Sequence, residues 1–260
     1  MTDSPLDALA IDRRAAVEHT VLGNGVLGNG VLRNGSSGDG SSGNGSSGDV
    51  SWVDVVRGFV RNPVAEFDAI LTETEWQQNE TLRYDKYVPE RRLAAGLRAD
   101  GRPLLRQTEL HLRATYRQPL EGVAAILYRS GEDFQGLHSD REMRWLDDTV
   151  IAIIVLGQRR PFVIRERTRW VDSLADRVPA GEDPADLVLL PGEGDLLVMG
   201  GRCQADWMHG VPAADTPNPR ISLTWRWTGR RGRPDTNPGY FDGRQFSDRP
   251  RQPGTRSRRP

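Results

Sequence analysis

TVIAIIVL, Thr149–Leu156, is a run of β-branched and aliphatic residues with Asp147 and Asp148 before it and Gly157 after it, and it reads as a strand. Six more runs of this kind surround it: Val123–Tyr128 upstream, then Pro161–Arg167, Leu187–Leu190, Asp195–Met199, Asp206–Val211 and Ile221–Trp227 downstream. Turn-forming residues fall between them, at Ser130-Gly131, Pro191-Gly192, Glu193-Gly194-Asp195 and Pro217-Asn218-Pro219. Strands of this number and length predict two packed antiparallel sheets. The first half of the body reads mainly helical. Val64, Phe67 and Leu71 recur at helical spacing, and Leu105, Leu112 and Tyr116 form a similar stripe across Arg102–Arg117, so each segment could lay an apolar face on a sheet. The expected architecture is mainly β with flanking helices, a double-stranded β-helix or jelly roll.

The flanks of this body differ in composition. Val21–Asp49 repeats in fives (VLGNG, VLGNG, VLRNG, SSGDG, SSGNG), and its glycine content makes ordering entropically costly with little apolar area in return. Residues 1–50 are accordingly expected as a disordered tail and repeat linker, 51–228 as the folded domain and 229–260 as a disordered basic tail. That last segment carries nine arginines against three aspartates, a composition able to neutralise phosphates without reading sequence. The whole chain is nearly neutral, at −1, and Lys86 is its only lysine. Cys203 is the only cysteine, which excludes an intrachain disulfide and a cysteine-based zinc site; it reads as a core residue. The first twenty residues lack the pattern of a secretory signal, and no apolar run approaches the roughly 18 residues of a membrane span. A cytoplasmic, monomeric protein with no membrane contact is expected.

The chemistry concentrates at the ends of the strand-like runs. His138-Ser139-Asp140 follows Val123–Tyr128 and a glycine turn, and side chains at i and i+2 of a strand share a face, so both could reach one metal. His-x-Asp is too short a motif to stand alone. A third ligand is available at His209, in the penultimate run, whereas His19 precedes the linker and His111 sits on a helix. Two imidazoles and one carboxylate on one side of a metal leave the opposite side open, as in non-haem Fe(II) oxygenases. Arg220 and Arg226 are separated by an even number of positions, so on a regular strand both guanidiniums face the same interior. Paired guanidiniums suit a dicarboxylate reductant.

Four segments together resemble the AlkB family of 2-oxoglutarate- and Fe(II)-dependent dioxygenases: ILYRSGEDFQGLHSD (Ile126–Asp140), TVIAIIVLGQRRPFVIR (Thr149–Arg165), GEGDLLVMGGRCQADWMHGVP (Gly192–Pro212) and PRISLTWRW (Pro219–Trp227). The resemblance runs from about Ser51 to Trp227 and is strongest after Val123. It implies that His138, Asp140 and His209 bind Fe(II), that Tyr128 and Arg220 hold the distal carboxylate of 2-oxoglutarate, that Arg226 lies near the carboxylate beside the keto group, and that Thr224 lines the same pocket. O2 is the second cosubstrate. The family often has an asparagine two residues before the tyrosine; Ile126 stands there, which removes one amide contact to the cosubstrate and no metal ligand. Glu142 matches an acidic residue that touches the damaged base in several members, and Trp76, Tyr84 and Tyr87 fall in the region of the nucleotide-covering lid.

The activity so implied is oxidative dealkylation of N-alkylated bases in DNA or RNA. Two rivals stay open at the level of sequence: the same constellation could hydroxylate a small molecule or a protein, and a catalytically silent jelly roll could bind nucleic acid through the arginine tail. The polar insert Glu166–Asp186 is long for a strand connection and reads equally as a substrate loop or a decoration.

Overall fold

The computed structural model describes residues 9–23, 26–27, 31–33, 50–83, 86–140, 143, 146, 148–167 and 178–228. Strands β1 (Val17–Gly23), β2 (Val26–Leu27), β3 (Val31–Arg33) and β4 (Ser51–Val56) precede helix α1 (Pro63–Glu73). A hairpin of β5 (Gln77–Arg83) and β6 (Lys86–Leu97) leads to helix α2 (Pro103–Tyr116). There follow β7 (Glu121–Tyr128), β8 (Gln135–His138), β9 (Thr149–Gly157), β10 (Phe162–Glu166), β11 (Leu187–Leu189), β12 (Asp195–Gly201), the single turn α3 (Cys203–Asp206), β13 (Trp207–Val211) and β14 (Arg220–Thr228). The strands form two antiparallel sheets: a large one ordered β2-β1-β4-β12-β9-β14-β7-β6-β5, with β3 also on β1, and a small one ordered β11-β10-β13-β8. This is the expected mainly β jelly roll with few helices. None of the described helices is long and apolar enough to cross a membrane.

Alternation along the central strands divides the core in two. Val150, Ala152, Ile154 and Leu156 of β9, with Ile221, Leu223 and Trp225 of β14, face the helices and meet Ile70 of α1 and Leu104, Leu105 and Leu112 of α2. Ile151, Ile153 and Val155 face the other way, toward Phe162 and Ile164 of β10 and Val211 of β13. Burial on both faces is why TVIAIIVL lacks the polar alternation of a half-exposed strand. Both helices begin with proline at their first turn, where a missing N–H costs nothing. In α1 the buried stripe is Phe67, Ile70 and Leu71; Val64, in the first turn, points outward and is 58% exposed. Cys203 is a core residue as expected, and burial pushes its thiol up to about 12.

Two expectations need correction. The first half of the body is not mainly helical, because β4, β5 and β6 extend the large sheet; polar QQNETLR in β5 carries no strand signal, having only one neighbour as the outermost strand. Nor does the fold begin at residue 51. β1 pairs along its length with β4, from Val17↔Val56 to Leu22↔Ser51, and with β2 and β3 on its other side. Asp54 of β4 anchors it, accepting from His19 Nδ1 and from the Tyr116 hydroxyl of α2 (3.0 Å). Burial, then Asp54, hold that phenol well above its usual pKa. Ile11 is fully buried and bridges Val60, while Asp12 N–H donates to Phe59 O at 2.7 Å and Arg61 N–H to Ala10 O at 2.9 Å. Ile11→Ala should therefore cost about 2–4 kcal/mol in urea unfolding, the range for truncating a buried aliphatic; a change near zero would mean that this segment is not part of the cooperative fold. The rest of the repeat and the basic tail lie outside the described residues.

Candidate metal centre

The small sheet builds the site. His138 ends β8 and His209 lies in β13, and the two are directly paired across the strands, which brings their ring centroids to 4.4 Å. Asp140 follows just beyond β8, where its N–H donates to Gln204 Oε1 of α3 (2.9 Å), and the Ser139 hydroxyl donates to Trp207 O (2.9 Å). One ligand atom from each of His138, Asp140 and His209 lies within 4.8 Å of the others. The Gly136 carbonyl accepts from His138 Nδ1 at 2.9 Å, which turns Nε2 toward the site, 3.5 Å from Asp140 Oδ1. Phe162 stacks against His209 at 5.7 Å and fixes that ring from the other side.

Charge is distributed to suit a cation. Burial opposes ionisation of Asp140, but Arg226, then His138 and His209, outweigh it and hold the carboxyl well below its usual range. Arg226 Nε donates to Asp140 Oδ2 at 2.6 Å and leaves Oδ1 toward the imidazoles. Burial and the neighbouring His138 push His209 down to about 3, so its ring is neutral, the form that binds metals. Two imidazoles and one anionic carboxylate, gathered at one side of a cavity, fit Fe(II) with open positions.

That cavity lies between the sheets. Ile126 and Tyr128 of β7, Ile151 and Ile153 of β9, and Ser222, Thr224 and Arg226 of β14 line it with His138 and His209. The even spacing on β14 works as the sequence indicated: Arg220, Ser222, Thr224 and Arg226 face inward while Ile221, Leu223 and Trp225 face the helices. Arg220 is fully buried, and among the described residues none of its three guanidinium nitrogens has a hydrogen-bond partner. The Tyr128 ring lies 5.8 Å from its guanidinium carbon. Burial, with Arg160 nearby, lowers its pKa to about 10, which still leaves it charged at neutral pH. A buried, unpartnered cation is costly, and a carboxylate is the group that would satisfy it.

Trp76 is not brought to the site. It packs on the helix side of the large sheet, its indole donating to Leu71 O at 3.1 Å, because it closes the end of α1 instead of projecting from the hairpin. Tyr84 and Glu142 lie outside the described residues, as does 168–177 of the insert. Tyr87 is exposed on β6. Three residues that sequence reading passed over have clear places. Arg92 lines the cavity from β6, on the face shared with Ala94; the alternation of Leu93 and Leu97 to the opposite core was the available signal. Gln204 holds Asp140. Buried Arg160 holds its guanidinium carbon 5.3 Å from the Tyr128 ring centroid and donates to Ser130 O, Asp133 O and Pro212 O, tying together the loops that carry them. No local pattern marks the last two, since their partners are distant in sequence.

Comparison with known proteins agrees with this chemistry. Residues 74–226, more than half of the chain, match the 2OG-Fe(II) oxygenase superfamily. Alpha-ketoglutarate-dependent dioxygenase alkB homolog 3 of Homo sapiens is 28% identical over 202 residues, and that of Bos taurus 27% over 200; each match covers 68% of this chain and 66% of the relative's length. DNA oxidative demethylase ALKBH2 of Arabidopsis thaliana is 33% identical over 111 residues, covering 38% of this chain and 35% of the relative. Among solved structures, HygX from Streptomyces hygroscopicus with nickel and 2-oxoglutarate bound aligns with TM-score 0.49 at 16% identity, covering 68% of this chain and 82% of that one. The chain belongs to the 2OG-Fe(II) oxygenase superfamily and, within it, is similar to alkB homolog 3 while spanning a little under two thirds of that relative's length.

Proposed function

We propose that this enzyme removes alkyl groups from ring nitrogens of bases in DNA or RNA, as a repair activity. The observation that carries the chemistry is the convergence of His138, Asp140 and His209 in a cavity lined by Tyr128, whose ring lies 5.8 Å from the guanidinium carbon of buried Arg220. The names of the AlkB-type relatives support the choice of nucleic acid. In this reading His138 Nε2, an Asp140 oxygen and a His209 nitrogen hold Fe(II). Arg220 takes the distal carboxylate of 2-oxoglutarate with Tyr128, Thr224 lines its slot, and Arg226 keeps Asp140 ionised and oriented.

The bound metal and cosubstrate supply an oxidant for the N-linked carbon: O2 and 2-oxoglutarate are consumed, succinate and carbon dioxide form, and the N-hydroxyalkyl product releases an aldehyde. The protein's part is positional. The apolar walls of Ile126, Ile151, Ile153 and Phe162 keep water from the reacting carbon. No side chain is required as an acid or base for C–H oxidation, so ligands and anchors make up the catalytic set.

The test is formaldehyde release, followed by mass spectrometry, from a methyladenine oligonucleotide with Fe(II) and 2-oxoglutarate, set beside free nucleosides and lysate metabolites. His138→Ala should lower turnover by at least about a thousandfold at unchanged melting temperature, because one of three metal ligands is lost. Succinate formation driven by a metabolite or a protein but by no methylated nucleic acid would replace this reading with that of another hydroxylase.

A further inference from the structure

A second cavity of about 230 Å³ opens beside the metal pocket. One wall is Val88–Arg92 of β6; the other is Phe134, Gln135 and Gly136 at the start of β8. Arg92 and Gln135 line both cavities, so the two adjoin, and these residues stand between the metal site and the groove. Both sides of the groove carry features that packing does not require. Phe134 is 39% exposed, and the guanidinium carbon of Arg91 lies over its ring at 5.8 Å. Arg91 is exposed and, among the described residues, meets no carboxylate, whereas Glu90 is taken up by Arg92 at 3.0 Å. A Cβ at Gly136 would meet nothing within 4 Å, so the floor is open.

We infer that this groove is the subsite for the nucleotide next to the one being dealkylated, with its base against Phe134 and the linking phosphate near Arg91. The inference rests on the dealkylase reading and adds to it: the enzyme recognises a strand and not an isolated nucleoside. Stacking on an exposed ring accepts any base, and a guanidinium beside it supplies the charge for a phosphodiester. Neither contact reads sequence, so the groove serves a lesion that occurs in varied contexts. A purely apolar partner would leave Arg91 without use, and an acidic peptide would leave the ring without use.

The full-length protein with Fe(II) and 2-oxoglutarate provides the test, comparing a methyladenine mononucleotide with a trinucleotide carrying methyladenine at its centre. Phe134→Ala should lower kcat/KM for the trinucleotide about 5- to 100-fold, the usual range for losing one base–aromatic stack, and leave the mononucleotide within about twofold. Arg91→Ala should act in the same selective way and reduce the slope of log affinity against log salt by roughly one. Anisotropy of a labelled trinucleotide, measured without added iron, should show the same loss. Both residues are exposed, so equal melting temperatures are expected and serve as the fold control. Variants impaired equally on both substrates, or on neither, would overturn the groove assignment while wild-type turnover keeps the dealkylase reading. Wild-type inactivity on every methylated nucleic acid would defeat that reading itself, and the groove with it.

Discussion

Arg220→Met should make the protein more stable and catalytically useless. Arg220 is fully exposed to the cost of desolvation, with three buried nitrogens unpaired, and an unbranched apolar side chain of similar length removes that cost. A gain on the order of 1–4 kcal/mol is expected in urea unfolding, from the behaviour of buried charges replaced by packed hydrophobes. The same change removes the partner proposed for the distal carboxylate of 2-oxoglutarate, and losing one member of a buried charge pair raises the apparent KM for the cosubstrate about 100-fold or more. The two effects have one origin. Wild-type protein should melt at a higher temperature when 2-oxoglutarate and a redox-inert divalent metal are added, since the ligand binds only the folded state, and the variant should show almost none of this rise. A variant that is less stable than the parent and still stabilised by 2-oxoglutarate would mean that Arg220 has another role.

The opposite sign is expected at Asp186. Arg165 and Asp186 form a bidentate pair, Nε to Oδ1 at 2.6 Å and Nη2 to Oδ2 at 2.8 Å, with side chains at most 1% exposed. Arg165 also donates to Val178 O and Pro179 O, and Gly181 N–H donates to Asp186, so the pair pins the end of the insert onto β10. Asp186→Ala leaves a buried guanidinium without its counter-charge, and about 3–5 kcal/mol of stability should be lost. Arg165→Met with Asp186→Leu should recover most of it, because the penalty belongs to the uncompensated charge and not to the absence of a salt bridge. A single variant within 1 kcal/mol of wild type in denaturant unfolding, an amount typical of exposed pairs, would refute this account. The difference from Arg220 is instructive. Both are buried arginines in the same domain, but one is satisfied by the protein and the other has no hydrogen-bond partner among the described residues.

The metal ligands were legible for different reasons. His138 and Asp140 sit two apart at the end of a strand, and a period of two is a local property that any reader of the chain can count. The inward facing of Arg220, Thr224 and Arg226 follows from the same period, as does the division of β9 between two cores. His209 could be named from its place in the penultimate run, but its distance from His138 depends on β8 and β13 lying side by side in register, which no short window encodes. β1 escaped for a related reason. Its Val17–Gly23 stretch is adjacent to a glycine-rich repeat, and the Asn24-Gly25 dipeptide between the paired Gly23 and Val26, a strong two-residue hairpin signal, was absorbed into the low-complexity reading.

Trp76 shows the limit most clearly: an aromatic ring beside a hairpin has two faces of a sheet available, and only packing against α1 selects the helix side. The sequence alone offered the strand pattern after Val123, the candidate ligands His138, Asp140 and His209, and the pair of inward arginines, because each can be read from side-chain type, local periodicity and order along the chain. Tertiary structure decided that Arg220 is unpartnered, that Gln204 and Arg160 support the site, and that Phe134 and Arg91 share a groove with it. Those are statements about contacts between distant segments, and they come into existence only when long-range strand pairing sets the register.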